Sequence, residues 1–119
     1  MEKINLLEKF SLFHDHWSPK IVGQVNDFQV KLVKVQGEFV WHHHDREDEM
    51  FLVLDGHLTV HFPDREITLD PGEFLIIPKG VEHKPSAVEE VRMMLFEPAA
   101  TSHTGNVKHE LTKNELEWI

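Results

Sequence analysis

The chain contains no cysteine. That excludes disulfide staples and thiolate metal ligands together, so any bound metal has to be held by nitrogen and oxygen. Positive charge is also scarce. Twelve Lys plus Arg face twenty-one Asp plus Glu, a formal charge of −9. A surface this acidic repels phosphate backbones and anionic lipid, which argues against nucleic-acid and membrane partners. No apolar run approaches the ~20 residues that span a bilayer. Met1 to Phe13 intersperses Glu2, Lys3, Glu8 and Lys9 among leucines, unlike the basic start, apolar stretch and small-residue cleavage site of a signal peptide. A cytoplasmic protein is expected. A length of 119 residues predicts one domain, large enough to bury a core without staples. We place its main body at about 20–97, with an N-terminal extension over 1–19 and a tail over 98–119.

Histidine is what the chain has in excess: ten residues, three of them consecutive at His42, His43 and His44. Around them the pattern is β almost throughout. Phe28 to Leu32 alternates apolar and polar residues, as a half-buried strand does. Met50 to Leu54 is an apolar run ending at Asp55-Gly56, and Leu58, Val60 and Phe62 then alternate with His57, Thr59 and His61. Asp-Gly between two such runs predicts a hairpin, because both residues tolerate the positive φ of a tight turn. Pro63-Asp64-Arg65, Asp70-Pro71-Gly72 and Pro78-Lys79-Gly80 are further turns, separating Glu66 to Leu69 from Phe74 to Ile77. Val91 to Phe96 reads as another strand, stopped by Glu97-Pro98. Short strands broken by turns every eight to twelve residues indicate an all-β sandwich or barrel. Phe39, Phe51, Leu54, Phe74, Ile76 and Met94 are core candidates. At the ends, Ile4 to Phe13 has helical spacing of Leu6, Leu7, Phe10 and Phe13. Thr112 to Ile119 carries a capping signal in Thr112 and Glu115, while Pro98 to Val107 reads as an irregular tail.

On a strand, side chains two apart share a face, so His42 and His44 point one way and His43 the other. Two imidazoles on one face can converge on one ion. Glu49 follows where a loop gives way to a strand, and His83 lies just past the Pro78-Lys79-Gly80 turn. Three imidazoles and a carboxylate make a mixed nitrogen and oxygen site suited to iron, manganese, nickel, copper or zinc.

Residues 37 to 56, GEFVWHHHDREDEMFLVLDG, resemble the first motif of the cupins: Gly37, a His-x-His pair, Glu49 five residues after the second His, then Gly56. Residues 72 to 83, GEFLIIPKGVEH, resemble the second: Gly72, Pro78, Gly80 and His83 at matching spacing. The resemblance implies an all-β double-stranded β-helix, or jelly-roll, barrel with short helical or irregular termini. It also implies one divalent transition metal (iron, manganese, nickel or zinc) held by His42, His44, Glu49 and His83. Two departures stand out. Four residues rather than the usual five separate Gly37 from His42, and His43 with Asp45 would restore that spacing. His42 and His44 are preferred because they pair two imidazoles and preserve the Glu49 spacing. Ala87 stands where the second motif often has Asn.

The resemblance implies a small-molecule enzyme of dioxygenase, decarboxylase or isomerase type; the alternative is a metal-bearing ligand-binding or sensor module without turnover. The chain shows no basic cluster of the kind a phosphosugar needs. No catalytic acid or base is named by the sequence. The remaining histidines take the plainer reading. His57 and His61 are expected on the solvent side of their strand, His14-Asp15-His16 lacks an accompanying motif, and His103 and His109 fall in the tail. Trp41 is expected on the face opposite the ligands. Apolar residues on both parities of Leu32 to Val35, with the leucines and phenylalanines of the N-terminus, suggest more apolar surface than one barrel hides. A homodimer is expected to cover it.

Overall fold

The fold rests on one very long strand against which most of the others are laid. The computed structural model describes residues 1–105 and 115–119. Its elements in chain order are helix α1 (Leu6–Phe10) and strands β1 (Lys20–Val25), β2 (Phe28–Glu38), β3 (Glu49–Asp55), β4 (Leu58–Phe62), β5 (Arg65–Leu69), β6 (Phe74–Ile77), β7 (Lys84–Pro98) and β8 (Glu117–Trp118). β7 pairs antiparallel with β2 along most of its length, from Phe28↔Pro98 to Glu38↔Ser86. Its other edge is shared: Met93 to Phe96 pair with β3, and Lys84 to Ser86 pair with β4. β3 continues to β6, and β4 to β5. The result is the all-β barrel that the alternating pattern predicts.

The Asp55-Gly56 turn is correctly placed but does not make a hairpin. β3 and β4 are not partners; they attach to successive stretches of β7, so the turn carries the chain from one stretch of that strand to the next. Gly56 has φ +87°, and a Cβ there would lie 2.8 Å from the Glu90 carbonyl oxygen, so the crossing needs glycine for both reasons. The strand expected over Val91 to Phe96 is fifteen residues long and runs through Pro98. Proline is tolerated there because it is the last residue of the ladder.

The interior is filled by Val33, Val35, Phe51, Val53, Leu58, Val60, Leu69, Ile77, Val91, Met93 and Leu95. Phe39 and Phe51 are buried as expected, but Phe74 and Ile76 are 59% and 55% exposed. The run Phe74 to Ile77 is apolar on both parities, so periodicity could not choose its inner face. The register Glu49↔Ile77 and Phe51↔Leu75 puts Leu75 and Ile77 inward. Leu54 and Met94 face outward and pack with Phe10, Phe13, Val22 and Leu32 in a second cluster. Part of the extra apolar surface is therefore covered by this chain's own N-terminus. Each fully buried phenylalanine there is worth about 1.5–3 kcal/mol of apolar transfer.

The N-terminal helix is shorter than its periodicity suggested. Asn5 caps it, its side chain accepting from the Glu8 N–H at 3.0 Å, and the helix ends at Phe10. The chain then turns so that Phe13 is buried as well. At the other end, no helix spans Glu117 and Trp118. They form a parallel strand on β1, and the Ile119 N–H donates to the Ile21 carbonyl at 3.0 Å. An exposed sheet edge offers the backbone partners that a single helical turn lacks. Thr112 lies outside the described residues.

Candidate metal centre

His42, His44 and His83 come together because their backbones are paired outside the main strands. The His42 N–H donates to the His83 carbonyl at 3.0 Å and the His83 N–H returns to His42 at 2.9 Å. On either side, Phe39 donates to the Pro85 carbonyl and Gly80 to the His44 carbonyl, at 3.0 and 2.7 Å. This narrow ladder joins the two sequence motifs. It sets the His42 and His83 rings 4.3 Å apart, with His44 at 5.3 and 5.8 Å from them. Glu49, first residue of β3, reaches in from between β6 and β7. Its Oε1 lies 3.3 Å from His44 Nε2 and 3.5 Å from His83 Nε2.

The four side chains are between 0% and 4% exposed and each offers one ligand atom within 4.8 Å of the others. The Nδ1 atoms of His42 and His83 lie 2.8 Å from the carbonyls of Val40 and Val81. A carbonyl only accepts, so each Nδ1 carries the proton and each Nε2 keeps its lone pair. Nε2 of His44 and His83 and Oε1 of Glu49 are buried without a hydrogen-bond partner. Orphaned buried polar atoms are costly, and these converge on one another. Such a donor set fits a small cation. Burial, and then the neighbouring His83, push His42 down to about 4, so its ring is neutral at pH 7.

Beneath Glu49 lies a pair that the sequence reading missed. Lys31 Nζ is 2.8 Å from Glu97 Oε1, and both side chains are fully buried. The β3–β7 register, Met50↔Phe96, carried one residue further sets Glu49 across from Glu97. Burial, followed by repulsion from Glu49, raises Glu97 well above the usual carboxylate range despite Lys31. Burial also opposes the charge on Glu49, but the neighbouring Glu97 carboxyl and the His44 and His83 rings prevail and hold it well below that range. The two carboxyls are thus set apart, Glu97 biased toward its neutral form and Glu49 toward its charged one. Alternation had assigned Lys31 to the polar side of a half-buried strand, and Glu97 looked like a strand terminator. Both faces of β2 are in fact covered.

A cavity opens beside these residues, lined by Trp17, Val35, Phe39, Met93 and Leu95 together with His42, Glu49 and His103. With ≈ 40 Å³ of space for solvent, it has room for roughly three waters. The family model of the cupin domain matches residues 29–98, more than half the chain and both ligand-bearing motifs. This chain belongs to the cupin family. It is 57% identical to a cupin-2 domain containing protein from Shewanella frigidimarina, with a TM-score of 0.79 over 80% of this chain and 93% of that one. Protein NMB1881 from Neisseria meningitidis is 31% identical, with a TM-score of 0.76 over 82% of this chain and all of that one. The uncharacterized protein YdbB of Bacillus subtilis is 44% identical over 64 residues, 53% of this chain. The match spans only 57% of that curated relative's length.

The other histidines of the cupin lie elsewhere. His43 points out of the barrel, between Glu82 Oε2 and Asp45 Oδ1, each at 2.8 Å. The alternative pairing of His43 with Asp45 therefore forms outside the cluster. Hydrogen bonding from Glu82, more than from Asp45, raises His43 above the ordinary histidine range. His57 sits against Asp70, and His61 between Ser86 and Glu66. His14 is exposed, Asp15 is bound to Lys20, and His16 is bound to Glu90 at 2.7 Å. Trp41 is 40% exposed with Lys84 over its ring. His103, expected in an irregular tail, is buried at the cavity wall. His109 lies outside the described residues.

Proposed function

We propose that this cupin is a small-molecule enzyme working through one divalent transition metal held by His42, His44, Glu49 and His83. The observation that carries the reading is the convergence of buried, unpartnered ligand atoms of His44, His83 and Glu49 on one another. Such an ion supplies Lewis acidity and coordination positions that water or a substrate can exchange. The chain's own residues do the rest. The Val40 and Val81 carbonyls hold His42 and His83 in the tautomer that leaves Nε2 available. Trp17, Phe39, Met93 and Leu95 exclude bulk water and favour a small, largely apolar substrate. Among the described residues no Lys or Arg lines the cavity, which counts against phosphorylated sugars as substrates.

A ligand-binding or sensor module without turnover is the second reading, favoured by the small volume of the cavity. We also read the protein as a homodimer, because Phe28, Phe74 and Ile76 remain exposed on the outer faces of their strands beyond the part that the N-terminus covers. The deciding experiment is elemental mass spectrometry of untagged protein with His42→Ala alongside. About one equivalent of iron, manganese, nickel or zinc, lost in the variant, is expected. Protein that is empty and also refuses all four added metals would end the metal-enzyme reading.

A further inference from the structure

Residues 99–105, which follow β7, do not trail away; they fold back against the first motif. Their first turn is tied down where the Ala99 N–H donates to the Asp27 carbonyl at 2.8 Å and the Thr101 N–H to the Pro98 carbonyl at 3.0 Å. Thr101, His103 and Thr104 are 6%, 7% and 0% exposed. Gly105 presses its backbone on the first motif. It has φ +59°, and a Cβ there would run into the His43 carbonyl and come within 3.0 Å of His42 Cδ2. On the outer side, Ala100, Ser102 and Gly105 share a groove with His44 to Glu47. A stretch packed this tightly against the ligand-bearing strand holds its side chains in defined positions.

One of those side chains is His103. Its ring stacks on Phe39, with centroids 6.0 Å apart and planes at 28°, and Phe39 in turn meets the His42 ring edge-on at 5.5 Å. Among the described residues lining the cavity, His103 is the one polar residue apart from His42 and Glu49; the others are Trp17, phenylalanines, prolines and aliphatic side chains. A wall so apolar gives a bound ligand little to orient it, and a single hydrogen-bonding group in it decides which end faces away from the ion.

Building on the metal-centre reading above, we propose that His103 is the substrate-facing residue of this site. It donates a hydrogen bond to the free end of a small anion bound at the metal. The charge of the ligand follows from the donor set. An ion of charge two, held by three neutral imidazoles and one carboxylate, keeps one positive charge in a dry cavity and attracts a monoanion. A compact anion with an acceptor atom beyond its metal-bound one, such as a short carboxylate, meets His103 across the cavity. His103 thereby supplies the polar group of the site that neither sequence motif contains.

The test uses the full chain loaded with cobalt(II), whose visible absorption reports its ligands, and azide as the anion probe. His103→Leu keeps an apolar packing group under the segment, and His103→Gln keeps a donor. Wild type is expected to bind one cobalt and to change spectrum on titration with azide. His103→Leu should retain the cobalt but bind azide about 10–100-fold more weakly, the loss of a hydrogen bond to a charged group. His103→Gln should recover a large part of that loss. Equal azide affinity in wild type and His103→Leu, or no azide response from the wild type, would overturn the role of His103 and leave the metal centre intact. Loss of cobalt from both variants would make His103 a ligand instead and overturn it too. A wild type that takes up no cobalt would remove the metal reading itself, and this inference with it.

Discussion

Two segments of this chain carry histidines two residues apart, His14 with His16 and His42 with His44, and they have opposite fates. The first sits in a loop before β1, where Asp15 is taken by Lys20 and His16 by Glu90, an exposed partner on β7. The second is pinned by a short backbone ladder to the segment bearing His83, and its residues are 2% and 4% exposed. In the first, every polar atom seen in a contact has found a partner of opposite character. In the second, buried ligand atoms face one another without a hydrogen-bond partner. Spacing of two puts side chains on one face, but only a paired backbone and a dry surrounding leave them needing a cation.

Several changes would break or sharpen that contrast. The largest effect is expected from Lys31→Met. It leaves Glu97 and Glu49 buried together without their cation, at about 3–5 kcal/mol of stability, read by urea denaturation; a change below ~1 kcal/mol would mean the pair is not a support of the site. His83→Ala should lower metal affinity more than ~100-fold, measured by competition with a chelator, while circular dichroism still reports the barrel. Glu97→Gln should cost about 10–100-fold in the same assay, since it acts on the metal through Glu49. His16→Ala should leave metal content untouched and cost no more than ~1 kcal/mol, as an exposed pair does. An equal loss of metal in that variant would erase the distinction between the two segments.

His43→Ala gives the smallest effect, and one with a sign. The folded protein raises His43 above its unfolded value of 6.5 through Glu82 and Asp45. Its contribution is therefore full below pH 6.5 and is lost as pH rises through the folded pKa. The Tm difference between wild type and His43→Ala should be largest in mild acid and vanish in base. Metal content should stay the same throughout. Loss comparable to that in His42→Ala would transfer the ligand role to the neighbouring register.

Much of this was legible beforehand for local reasons. Glycine and proline turns set where strands stop, and Pro63-Asp64 does join β4 to its true partner β5. Asp55-Gly56 looked no different, yet its flanking strands part company. A turn's residues encode its local φ and ψ, and they say nothing about which distant strand offers a free edge. Phe74 and Ile76 went astray for a related reason: a run that is apolar on both parities carries no information about its inner face. His103 was invisible because nothing near it in sequence is part of a motif.

By itself, then, the amino-acid sequence determined the residue types, the two motifs and the parity that turns His42 and His44 together and His43 away, since these follow from the period of a strand. Only the tertiary structure decided that Glu97 lies beneath Glu49 with Lys31 as its counter-ion, and that residues 99–105 bring His103 to the cavity. Each of those contacts joins positions far apart along the chain across a dry interior. Their cost or benefit comes from desolvation and proximity, which no local pattern of residues records.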